Sequence, residues 1–146
     1  MNCIDIQFPV ITFSYPNVIT FNTDMIHLTS CSKQALKNGY YKNLKIVDSN
    51  GNLFVVNNAT KIKNIGPFWG YNIFLGQRIQ VELEFNNDIK ILTLNELKRM
   101  VSGTFKKGRD FWDSGGNYFQ LQKIVYSAES IPSLIHKIGE ILNAEY

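Results

Sequence analysis

The sequence predicts an α+β fold, an antiparallel sheet of five to six strands over residues 1–92 followed by three helices over 93–146 packed on one face of it. Three observations carry that prediction. Ile79, Val81, Leu83 and Phe85 alternate with Gln80, Glu82 and Glu84, the period of a strand with one face on a core and the other in water. Leu44–Val47 and Leu53–Val56 flank an Asn50-Gly51 pair, a strong hairpin signal because both residue types tolerate positive φ. From Leu94 onward the apolar residues change to helical spacing.

Taken in order, Ile4, Ile6 and Phe8 alternate with polar residues until Pro9, and Ile11 and Phe13 continue beyond it. Proline cannot donate to a ladder, so this first strand is expected at a sheet edge or with a bulge at Pro9. Val18–Phe21 follows the Pro16-Asn17 turn as a short apolar piece. Ser32 is placed to cap a short helix through Ala35 and Leu36 that stops at Gly39. Ile62 and Ile65 suggest a weak strand before Gly66-Pro67, and Phe68-Trp69-Gly70-Tyr71 leads into the alternating strand at Ile79. That strand is expected to feed, through Lys90–Thr93, the first long helix and to form the minimal two-layer core with it.

The helices announce themselves by their starts. Thr93 and Glu96 have capping-box spacing, and Leu94, Leu97, Val101 and Phe105 share a face that ends at Gly108, a candidate left-handed cap. Asn117 can cap a second helix carrying Tyr118, Leu121, Ile124, Val125 and Ala128, with Gln120 at the capping-box position. Ser130 and Pro132 open a third, with a stripe of Ile131, Leu134, Ile135, Ile138, Ile141 and Leu142. No repeat or linker divides the 146 residues, so one domain is expected.

Composition bounds the function. Hydrophobic residues are 45% and charged ones 18%, ordinary for a globular chain. The net charge of +3 is spread along the sequence, too diffuse for a nucleic-acid face. Cys3 and Cys31 have no companions at ligand spacing, which suits free thiols in a reducing cytoplasm. No signal peptide or membrane span is recognisable, so a cytoplasmic protein without membrane attachment is expected.

No catalytic signature stands out. His136 lies in a polar helix sector, and His27 has no nucleophile on a glycine elbow beside it. Gly115-Gly116 lacks the lysine and preceding strand of a phosphate loop. The pairs Glu82/Glu84 and Asp110/Asp113 have the residue type for acid–base or metal chemistry, but neither has a histidine or third acid at useful spacing. Neither a metal nor a cofactor is therefore expected. Lys106, Lys107 and Arg109 interleave with Phe111 and Trp112 as in a single-strand binder, yet Asp110 and Asp113 interrupt them. Trp69, Tyr71, Phe111 and Trp112 suit loop anchors, and aromatics beside charges are also the composition of interface hot spots.

The last third of the chain carries a resemblance. Its Asn95-Glu96-Leu97-Lys98 helix start, the loop Phe111-Trp112-Asp113-Ser114-Gly115-Gly116-Asn117 and a final helix opening Ser130-Ile131-Pro132-Ser133-Leu134-Ile135 resemble small bacterial immunity proteins of polymorphic or contact-dependent toxin systems. The resemblance implies a non-enzymatic cytoplasmic protein that binds a cognate toxin and occludes its active site, and it brings no catalytic residues. Candidate partner-binding residues are Arg109, Asp110, Phe111, Trp112 and Asp113 in the loop, Glu82 and Glu84 on the strand, and Trp69 and Tyr71. A small hydrolase or nuclease using the acid pairs, or a nucleic-acid-associated protein, are the other readings. Monomer and homodimer both remain open.

Overall fold

The computed structural model describes residues 5–14, 17–64, 71–72, 76–108 and 118–144. The α+β class is as expected. The elements run β1 (Val10–Ser14), β2 (Val18–Asn22), α1 (Met25–Leu28), β3 (Ser30–Ser32), α2 (Lys33–Lys37), β4 (Lys45–Val47), β5 (Asn52–Asn64), β6 (Tyr71–Asn72), β7 (Gly76–Phe85), β8 (Lys90–Ile91), α3 (Leu94–Lys107), α4 (Tyr118–Ser127) and α5 (Ile131–Ala144). The sheet order is β2-β1-β4-β5-β7-β3, with the two-residue strands β6 on β7 and β8 on β5. Each of these pairings is antiparallel.

The sheet separates two cores, and consecutive residues of its middle strands belong to different ones. Ile11, Ile19 and Val47 join Leu97, Val101, Phe105, Leu121, Val125, Leu134, Ile135 and Ile138 in a core shared with the three long helices. Val10, Ile46, Phe54, Val56, Ile79 and Val81 face the opposite way, into a second core closed by Leu28, Cys31, Tyr41 and Leu44. Because side chains alternate across a strand, Val10 next to Ile11 and Ile46 next to Val47 can each be buried only if both faces of the sheet are covered. Each fully buried Leu, Ile or Phe contributes on the order of 1.5–3 kcal/mol, so both layers are strongly held.

This arrangement corrects the expected pairing of the Ile79 strand with α3. Ile79 and Val81 are buried and Leu83 and Phe85 pack beside them, as the alternation required, but they do so in the second core. The helical layer instead rests on β1, β2 and β4, where Gly139 of α5 lies against the ring of Phe21 so closely that a Cβ would come within 2.9 Å of it.

Residues 5–9 form no strand, despite their alternation. Their backbone is tied elsewhere: Ser49 N–H donates to the Gln7 carbonyl (2.9 Å), Ser49 Oγ donates to the Pro9 carbonyl (2.7 Å) and Gln7 N–H donates to the Asp48 carboxylate (3.2 Å). The Phe8–Pro9 peptide is cis. Since β1 begins only after Pro9, the proline does not confine it to an edge, and β1 sits between β2 and β4.

The hairpin between β4 and β5 is present, with Val47 opposite Leu53. Its turn differs from the expected one, since Gly51 has φ +84 while Asn50 is not among the positive-φ residues. The buried Asp48 carboxylate organises the loop instead, accepting from the amides of Asn50 (3.0 Å) and Asn52 (2.9 Å). A three-residue loop ending in a left-handed glycine is the alternative hairpin solution.

Most helix signals hold. Ser32 caps α2 by accepting from Ala35 N–H, the Thr93–Glu96 capping box is formed, and Ser130 Oγ accepts from Ser133 N–H (3.2 Å). Gly108 has φ −98, so it ends α3 without the left-handed conformation expected of it. Asn117 lies outside the described residues.

Candidate functional site

The three long helices cover one face of the sheet only as far as the start of β5, where Leu53 packs beneath them. Farther along, the same face of β5 and β7 is open. Glu82 stands opposite Thr60 and Glu84 opposite Asn58, and all four residues are exposed. Lys63, also exposed, stands opposite Gln80. Neither Glu82 nor Glu84 makes an ion pair or side-chain hydrogen bond among the described residues, so two neighbouring carboxylates face solvent unneutralised in a net-basic chain.

Two irregularities shape this face. The register of β5 against β7 shifts between Val56 and Asn58 and again between Lys61 and Lys63. The second shift leaves Ile62 unpaired and 56% exposed between two lysines. Such bulges re-aim side chains and interrupt a ladder, which keeps a long strand from being a flat edge. On the opposite side of the sheet, beside the second core, a depression of about 320 Å³ is bordered by Leu36, Tyr41, Lys42 and Asn58.

A second feature escaped sequence reasoning. β2 and β3 are the two ends of the sheet order, yet both line one cavity of about 280 Å³, so the sheet curls around the second core and brings its ends together. Thr20 and Asn22 come from β2, His27 from α1, Ser30 and Ser32 from β3 and Tyr40 from the loop after α2. His27 Nδ1 lies 2.7 Å from Asp24 Oδ1. The Asp24 carboxyl is held below the usual carboxylate range, chiefly by the His27 backbone amide that it accepts from as the cap of α1. Cys31, buried in the second core, also lines this cavity.

Of the residues expected to bind a partner, Glu82 and Glu84 fall on the open face together. Tyr71 belongs to the short strand β6, paired with Gln77. Trp69 and the loop residues Arg109, Asp110, Phe111, Trp112 and Asp113 lie outside the described residues. Among the described residues no group of three or more His, Cys, Asp or Glu is placed to hold a metal ion. Nor is any described helix long and apolar enough to cross a membrane.

What fold and site define is therefore an α+β protein with one sheet face half covered by helices. The chain matches no protein-family model, no curated protein and no solved structure.

Proposed function

We propose that this chain is a protein-binding module of the immunity type, which neutralises a cognate toxin by occluding its active site, and that it engages the toxin through the open face of β5 and β7. The observation that carries the reading is the position of Glu82 and Glu84, exposed side by side on the antiparallel β5–β7 ladder without intramolecular ion partners among the described residues. Carboxylates so placed attract a cationic surface and fix its register, because complementary charge raises encounter rates and excludes wrong partners. The resemblance of the helical third to immunity proteins supports the same reading.

The test is co-expression with the protein encoded immediately beside it, followed by purification and a growth assay. A stoichiometric complex together with protection of the cells supports the proposal. Growth arrest by the neighbouring protein that this chain neither binds nor relieves would contradict it.

A further inference from the structure

The seam cavity between β2 and β3 is separate from the open face, and its chemistry is different. No Lys, Arg, Asp or Glu lines it. We propose that it binds a small, uncharged, polyhydroxylated molecule of about monosaccharide size.

The hydrogen bonds already made decide which groups remain for a ligand. A carboxylate can only accept, so His27 Nδ1 donates to Asp24, which leaves Nε2 for a ligand. Ser30 Oγ donates its proton to the Ile26 carbonyl, which leaves its lone pairs. Ser32 Oγ accepts from Ala35 N–H (3.0 Å), which leaves its O–H to donate. Asn22 spends one N–H on Thr20 Oγ1 (3.4 Å), while Thr20 is itself joined to the buried Thr12 hydroxyl. The Asn22 carbonyl and its second N–H are left over. The lining thus offers both acceptors and donors, and vicinal hydroxyls, each able to donate and accept at once, suit such a lining better than a group that only accepts or only donates.

The rest of the wall fits the same ligand. Leu28, Ala35 and Tyr40 supply apolar surface for a C–H face. At about 280 Å³ the cavity lies at the small end of ligand sites. Without a lysine or arginine in its lining, it has no permanent cation to compensate the desolvation of a phosphate or carboxylate. The inference does not depend on the partner proposed for the open face, and each can fail without the other.

Amide-resolved NMR titrations with D-glucose and D-ribose, with glucose 6-phosphate as the charged comparator, test it. The expected result is a saturable shift of the Ser30, Cys31 and Ser32 backbone amides and of the Asn22 side-chain amide with at least one neutral sugar, and weaker binding of the phosphate. Asn22→Leu should weaken the sugar about tenfold, the scale of one hydrogen bond lost. His27→Leu, on the exposed face of α1, should weaken it similarly, which keeps the test decisive if Asn22→Leu lowers the melting temperature. Absence of saturable shifts with both sugars would overturn the proposal, as would tighter binding of the phosphate or affinities unchanged in both folded variants.

Discussion

Val10 and Ile11 are consecutive in β1, both completely buried, and they lie in different cores: Val10 with Ile46, Phe54 and Ile79, Ile11 with Leu97, Val101 and Phe105. The strand between them is a partition, and perturbations on its two sides should be energetically independent. Leu97→Ala should cost about 2–5 kcal/mol and Ile79→Val about 0.5–1.5 kcal/mol. The double variant should equal their sum within about 0.5 kcal/mol, as for residues that share no partner. Chemical denaturation of the four proteins checks this, and a coupling well above that margin would mean that the two layers pack as one.

Gly51 and Gly39 both have positive φ, but their surroundings differ. A Cβ at Gly51 would lie 2.8 Å from the Leu92 carbonyl oxygen and 2.7 Å from the Ile131 side chain, whereas nothing lies within 4 Å of one at Gly39. The left-handed conformation alone costs a non-glycine residue about 1–2 kcal/mol. Gly39→Ala should therefore lose about that much, and Gly51→Ala about 1–3 kcal/mol more from overpacking against backbone that also accepts no movement, since Leu92 N–H donates to the Gly51 carbonyl (2.7 Å). Equal denaturation midpoints for the two variants would refute the distinction.

How much of this was legible in the sequence varies with the kind of signal. The alternation from Ile79 to Phe85 is the mark of a strand buried on one side, and it was readable, as were Glu82 and Glu84 on its open side. β1 and β4 are buried on both sides, so Val10-Ile11 and Ile46-Val47 give adjacent apolar residues with no period, and the second core went unseen. β3 is Ser-Cys-Ser, three residues whose strand state is imposed by β7, and no local preference reveals it. The alternation of residues 5–9 misled because Asp48 and Ser49, some forty residues away, claim that backbone. The seam cavity was invisible for a similar reason, since its lining comes from β2, α1, β3 and α2 and no single stretch has a motif.

Two caps should report on pH. The Glu96 carboxyl is held below its ordinary range first by the Thr93 backbone amide, with the Thr93 hydroxyl and Lys90 adding to it, and Asp24 is lowered first by the His27 amide. A folded-state value depressed below the unfolded one contributes stability that is fully present above the ordinary carboxylate range and is lost as pH falls through the folded value. Acidification from neutral should leave α1 and α3 capped until below that range, and the Thr93 and His27 amide resonances should then move together with their carboxylates. In Glu96→Gln the Thr93 amide should lose this acid transition. A transition that persists there would assign the cap to another group.

Asp48 is the buried acid on which the β4–β5 turn depends, accepting from Gln7, Asn50 and Asn52. Asp48→Ala strands these donors and should cost about 3 kcal/mol or more, since each hydrogen bond to a charged group is worth about 1.5–3 kcal/mol. Asp48→Asn, which keeps one acceptor oxygen, should lose less. A thermal midpoint of Asp48→Ala near that of the parent would show that water replaces the carboxylate.

The central claim is that the open face of β5 and β7 is where a cationic partner binds, and its most direct measurement is the affinity of the Glu82→Lys/Glu84→Lys variant for the protein encoded beside this chain. Both positions are exposed and make no ion pair among the described residues, so the thermal midpoint should stay within the small range of surface substitutions. Reversing two charges against a complementary surface should weaken binding about a hundredfold and slow association most at low salt. An affinity equal to that of the parent, in a variant with an unchanged midpoint, would contradict the assignment of this face.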